Sequence, residues 1–174
     1  MIAKKLPTHI VSFIVENKPG VLYRVSCMFR RRDFNIDSIS VGPTEREGLS
    51  RMTVTIRGDE RVVEQVLKQL SKLIDVIKVG RLDPDCTVTR EMALVKIHVA
   101  DSKARSDLDH YVRTFRGKII DVSPESAIVE ITGDTSKVDA FIDLVKVFGI
   151  KEVARAGMTA LLRGPKAMLS EKQD

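Results

Sequence analysis

The chain has 174 residues, 43% apolar and 30% charged, with 29 basic against 24 acidic side chains and a formal charge of +5. That much apolar material supports a core and excludes a disordered composition, while the length admits one domain or two small ones. No apolar run approaches the ~20 residues that cross a bilayer, so no membrane partner is expected, and Cys27 and Cys86 form neither a C-x-x-C clip nor a disulfide framework.

The opening "MIAKKLPTHI" leads almost directly into a strand pattern, leaving no room for a signal or transit peptide, so a cytoplasmic location is expected. "THIVSFIVE" alternates, with Val11, Phe13 and Val15 on one face and Ile10, Ser12 and Ile14 on the other. "GVLYRVSCMFRRR" then spaces Leu22, Val25 and Phe29 as an amphipathic helix, ending in Arg30 to Arg32, where cations suit the dipole. "NIDSISVGPT" and "LSRMTVTIRG" read as two strands joined through Gly42, Pro43 and Gly48. Asp59 caps a second helix whose stripe is Val63, Val66, Leu67, Leu70 and Ile74, and "DVIKVGRL" is a last strand. The order is βαββαβ.

"DPDCTVTR" lacks either period over most of its length and reads as a linker, after which the pattern restarts. Strand "EMALVKIHV", a helix with Leu108, Tyr111, Val112 and Phe115, strands "KIIDVS" and "SAIVEITG", a helix with Val138, Phe141, Ile142, Val145 and Phe148, and a closing strand in "EVARAGMTALLRG" repeat the same order. "VTIRGD" at 54–59 and "VEITGD" at 129–134 align at one offset, which also brings Val63 onto Val138 and Leu70 onto Val145. The expected fold is α+β: two tandem ferredoxin-like βαββαβ domains, 1–82 and 90–164, with a linker at 83–89 and a polar tail at 165–174.

Catalytic signatures are missing. The sequence contains neither G-x-G-x-x-G nor G-x-x-x-x-G-K-[ST], and His9, His98 and His110 are scattered without metal-ligand spacing. RNA-recognition domains share the βαββαβ order but stack bases on strand aromatics, and "LSRMTVTI" and "SAIVEI" carry none, so no nucleic acid partner is expected.

The stretch "ENKPGVL" is open to two readings. Asn17 could cap the helix, with Pro19 in its first turn and Gly20 relaxing the bend. Alternatively the amides near Gly20 to Leu22, helped by the helix dipole, could receive the α-carboxylate of a small zwitterion.

The stretch "ENKPGVLYRVSCMFRRRDFNIDSISVGPTEREGLSRMTV" strongly resembles the N-terminal ACT domain of the small, regulatory subunit of acetohydroxyacid synthase, also called acetolactate synthase. "QLSKLIDVIKV", "REMALVKI", "FRGKIIDVSPES" and "EVARAGMTALLRG" resemble later segments of that family, so the likeness covers nearly residues 8 to 164. It implies an ACT domain followed by a second, ACT-like domain. The chain would be non-catalytic, and thiamine diphosphate, Mg and FAD would sit in a large subunit that condenses pyruvate with a second 2-oxo acid. The small subunit would activate that partner and confer feedback inhibition by valine or a related amino acid in branched-chain amino-acid synthesis. In keeping with this, no G-D-G thiamine diphosphate signature occurs here.

The resemblance further implies a homodimer through ACT domains, with the effector held between the strand-to-helix loop of one chain and the second-strand start of the other. Carried over, these are Asn17, Gly20, Val21 and Leu22 facing Asn35 and Ile36; without the resemblance the last two read as a turn residue and a core strand residue. "RTFRGKIID" replaces the Asn-x-x-Pro-Gly pattern in the second domain, which is not expected to bind an amino acid in the same way. Two alternatives stand beside this reading: an ACT-type amino-acid sensor serving another enzyme, and a ferredoxin-like nucleic-acid-binding protein.

Overall fold

A computed structural model describes residues 6–169. The chain forms two units, one running to Val88 and taking in the segment from Met158 onward, the other Thr89–Gly157.

In the first unit the elements are β1 (Thr8–Glu16), α1 (Val21–Arg31), β2 (Ile36–Pro43), β3 (Leu49–Arg57), α2 (Glu60–Leu70) and β4 (Val76–Leu82). The four strands form an antiparallel sheet in the order β2-β3-β1-β4, with His9 facing Ile56 and Phe13 facing Met52 across β1 and β3. Val11, Phe13 and Val15 meet Met52, Val54 and Ile56 beneath Val25 and Phe29 of α1 and Val63, Val66 and Leu70 of α2. Burial of this apolar surface, at roughly 25 cal/mol per Å², is the main force holding the helices to the sheet.

Two assignments from periodicity change. The buried face of α1 is Val21, Val25, Met28 and Phe29, a stripe at i, i+4, i+7 and i+8, and Leu22, one residue round the helix, is 47% exposed. Ile74 is 92% exposed because α2 ends at Leu70.

The helix-free face of this sheet is also covered. Ser12, Thr53 and Thr55 are buried there, and Ile10 and Leu82 cluster with Ala160, with Met158 and Leu162 packed around them. Ser40 Oγ donates to the Met158 carbonyl at 2.8 Å, Arg51 Nη1 to the Ala160 carbonyl at 3.2 Å, and the Arg163 amide to the Cys86 carbonyl at 2.8 Å. "EVARAGMTALLRG", expected as one closing strand, is therefore two. They are separate strands, one at Ile150–Arg155 and another at Thr159–Leu162, and the second returns to the first unit. The apolar residues on both faces of β1 demand such a cover.

The segment expected as a linker, 83–89, holds a 3-10 turn, Pro84–Cys86, capped by Asp83, and a strand already begins at Thr87. Of the expected tail, Met168 and Leu169 are half-buried, and residues 170–174 lie outside the described residues.

The second unit contains β5 (Thr87–His98, from Thr89), α3 (Ser102–Thr114), β6 (Lys118–Ser123), β7 (Ser126–Gly133), α4 (Thr135–Val145) and β8 (Ile150–Arg155), with strand order β6-β7-β5-β8. Its core joins Ala93, Val95, Ile97, Val129 and Ile131 to Leu108, Val112, Val138, Phe141 and Val145. The internal repeat is structural: both units are βαββαβ, and Val63 with Val138 and Leu70 with Val145 are buried at matching helix positions. Gly58 and Gly133 each precede a capping aspartate, and a Cβ at either would fall 2.7 Å or closer to the helix that follows.

Candidate functional site

The four α-helices of the described residues begin in two ways. Asp59 accepts from the Val62 amide at 3.0 Å, Asp101 from Ala104 at 2.8 Å and Asp134 from Lys137 at 2.8 Å, so α2, α3 and α4 each start under a carboxylate. α1 has none. Its N-cap is Gly20, in the left-handed region at φ 85°, with no side-chain cap and no acidic residue in the first turn.

The first helical bond of α1 runs from the Arg24 amide to the Gly20 carbonyl at 3.0 Å, so the Leu22 and Tyr23 amides precede the hydrogen-bonded ladder. Among the described residues no side chain caps the positive end of this helix. Asn17 does not cap it, and Pro19 lies before the N-cap rather than inside the first turn.

The loop is held from both sides. The Asn17 amide donates to the Gly48 carbonyl at 2.7 Å, and the Glu16 amide to the Asp75 carbonyl at 2.9 Å. Arg24 grips the buried Asp75 carboxylate through Nε at 2.6 Å and Nη2 at 2.8 Å. These hydrogen bonds, against the opposing effect of desolvation, hold the Asp75 carboxyl below its ordinary range. Arg24 Nη1 lies 3.6 Å from where a Gly20 Cβ would be, so the same guanidinium borders the helix start. Sequence spacing gave no signal for Arg24 and Asp75, which are 51 residues apart.

Of the expected site residues, Asn17 and Gly20 are exposed, Leu22 is half-exposed, and Val21 is buried so that only its backbone borders the loop. Asn35 is exposed, its amide 3.4 Å from Asp37 Oδ1, and Ile36 packs partly on the core. The two groups sit at opposite ends of the sheet, because Glu16 pairs with Leu49 at one end and Ile36 with Ile56 at the other. Leu49 and Ile56 are seven residue steps apart along β3, roughly 23 Å at the strand rise. Within one chain, no single amino acid reaches both.

His9 is buried with Nε2 3.0 Å from the Gly58 carbonyl, and His98 Nδ1 lies 3.0 Å from the Glu125 carbonyl. Among the described residues no group of His, Cys, Asp or Glu is placed to hold a metal ion, and no helix is long and apolar enough to cross a membrane.

A family model described as "AHAS small subunit-like ACT domain" matches residues 11–78, and one described as "Small subunit of acetolactate synthase" matches residues 90–164. The chain belongs to the acetolactate synthase small-subunit family.

Similar proteins agree over full length. A "Probable acetolactate synthase small subunit" of Methanothermobacter thermautotrophicus is 54% identical over 97% of this chain and 100% of its own. The acetolactate synthase small subunit of Mycobacterium bovis is 47% identical over 95% of this chain and 98% of its own. The crystal structure of the acetolactate synthase small subunit from Thermotoga maritima superposes with a TM-score of 0.86 at 46% identity, covering 92% of this chain and all of that one. The expected pair of ferredoxin-like units, the first an ACT domain, is thus the small-subunit architecture.

Proposed function

We propose that the chain is the non-catalytic, regulatory subunit of a cytoplasmic acetolactate synthase, and that it binds valine or a related branched-chain amino acid between two ACT domains. The observation that carries this is the uncapped start of α1, where Gly20 stands in place of the aspartate that caps every other α-helix of the described chain. The effector's α-carboxylate takes the role of that missing cap, accepting from the Leu22 and Tyr23 amides. The Leu22 side chain offers an apolar wall. Asn17 supplies an amide beside the bound zwitterion.

The other half of the pocket, Asn35 and Ile36, comes from a second copy, since the two groups of one chain are separated by the length of the sheet. A homodimer joined along the β2 edges, running antiparallel, sets the start of one β2 beside the loop of the other. Effector binding then favours one arrangement of the dimer, and the large subunit responds because it engages the two arrangements differently; a coupling of roughly 1 to 3 kcal/mol suffices for feedback. Thiamine diphosphate, Mg and FAD belong to the large subunit, which performs the condensation.

The test is acetolactate formation by a purified large subunit with and without the full chain, and with each branched-chain amino acid, beside calorimetric titration of valine into the chain and its Gly20→Asp variant. Activation, inhibition by one amino acid, and loss of valine binding in a folded Gly20→Asp protein are expected. Amino-acid binding without any effect on the large subunit would instead indicate a sensor for another enzyme.

A further inference from the structure

Outside the loop, a groove of about 470 Å³ lies between α1 and the segment that closes α2. Met28, Leu73 and the side of Tyr23 give it an apolar lining, and Arg31, Arg32 and Lys72 stand around its rim. The three cations are exposed, and none has a carboxylate partner among the described residues; Arg32 reaches only the Gln69 amide oxygen, at 3.4 Å. Tyr23 is 73% exposed, although a tyrosine on a helix is well able to pack.

Exposed tyrosine and arginine around an apolar depression is the composition of an interface centre. The chemistry selects its occupant. An isolated phosphate or a nucleic-acid backbone gains little from the apolar floor, and α2 presents to the groove its C-terminal end, whose carbonyls disfavour an anion without apolar contacts to compensate. An amphipathic protein segment satisfies both parts, with apolar side chains on Met28 and Leu73 and carboxylates toward the rim.

We infer that this groove docks an acidic, amphipathic segment of the catalytic large subunit. The inference rests on the proposed role as that enzyme's regulatory subunit. α1 then carries both functions, with the effector at its start and the partner along its outer side, and the Arg24–Asp75 pair ties α1 to the strand beside it.

The experiment measures the affinity of the full chain for purified large subunit at several salt concentrations, for the wild type, for Arg31→Glu with Lys72→Glu, and for a control of equal charge change, Lys103→Glu with Lys151→Glu. A tenfold or greater loss and a shallower salt dependence in the groove variant, with the control and valine binding unchanged, is expected. Equal affinity in all three overturns the proposal while leaving the regulatory role intact, and wild-type chain that neither binds nor activates the large subunit overturns both. A groove variant that keeps the large subunit but loses a single-stranded oligonucleotide bound by the wild type also overturns it, in favour of nucleic acid.

Discussion

Arg24 and Asp75 form a two-pronged ion pair, Nε and Nη2 of the guanidinium donating to the two carboxylate oxygens at 2.6 and 2.8 Å. The arginine sits one turn into α1 and the aspartate directly before β4, while the Asp75 carbonyl also accepts from Glu16 at the end of β1. One residue thereby fixes both ends of the loop that leads into α1. The partners are unequal, since the carboxylate is 8% exposed and the guanidinium 47%. Arg24→Ala leaves a buried carboxylate unpaired, whereas Asp75→Ala leaves a cation that water can reach. Denaturant unfolding is expected to show the larger loss of stability for Arg24→Ala, with the double variant close to the single Asp75→Ala.

The same pair gives a pH dependence of definite sign. Asp75 is held below its ordinary range by Arg24, and Asp134 by the Lys137 amide and then Ser136. A carboxyl lowered on folding contributes stability in full above its unfolded value, near pH 4, and loses it as pH falls through the lower folded value. Stability should be flat from neutrality to about pH 5 and fall below pH 4. The fall should be shallower in Asp75→Asn than in the wild type when midpoints are followed by circular dichroism.

Gly20 combines φ 85° with an open side, because a Cβ there would meet only Arg24 Nη1, at 3.6 Å. Gly20→Ala should therefore cost about 1 kcal/mol through backbone strain rather than through a clash. Gly20→Asp carries the same strain but places a carboxylate near both the helix start and Arg24. Thermal unfolding should find Gly20→Asp at least as stable as Gly20→Ala, even though it is the variant expected to exclude valine.

Ser12 is fully buried on the helix-free face, and its hydroxyl oxygen has no hydrogen-bond partner among the described residues. Ser12→Ala should be neutral or stabilising, by up to about 1 kcal/mol. Ala160→Asp, which forces a charge into the cluster of Ile10 and Leu82, should destabilise by more than about 2 kcal/mol. Equal midpoints for these two variants would mean that the segment Met158–Leu162 does not cover the sheet.

The repeated glycines allow a paired comparison. A Cβ at Gly58 would lie 2.7 Å from Val62 Cβ, a stiff branched position, whereas at Gly133 it would meet Lys137 Cδ at 2.5 Å, part of a flexible chain. Gly58→Ala should be the more destabilising of the two in chemical unfolding.

Both βαββαβ units could be read from the sequence because their strands alternate and their helices carry apolar stripes, with Asp59 and Asp134 marking the start of the second helix in each unit. The duplicated Val-x-Ile-x-Gly-Asp pattern marked equivalent points in each. What could not be read rests on contacts between distant residues: Arg24 with Asp75, and Ser40 and Arg51 with the carbonyls of Met158 and Ala160. The alternation of β1 did hold a hint, since Ile10 and Ile14 face away from the helices and require a cover, but nothing local identifies which later segment supplies it. Leu22 falls off the buried stripe because the phase of α1 is set by Val21, Val25, Met28 and Phe29. Asn35 and Ile36 entered through family resemblance alone, as their own chemistry is that of an ordinary turn and strand.

The central claim is that each effector pocket takes its loop from one copy and its strand start from another. Complementation tests it most directly: Gly20→Asp and Asn35→Lys chains are prepared separately, then mixed under conditions of subunit exchange and titrated with valine. Each variant alone should bind none, while the equimolar mixture should regain about a quarter of the wild-type sites, because half of the dimers are mixed and each of those holds one intact pocket of two. A mixture that stays as inactive as its components, despite demonstrated exchange, would contradict the shared pocket.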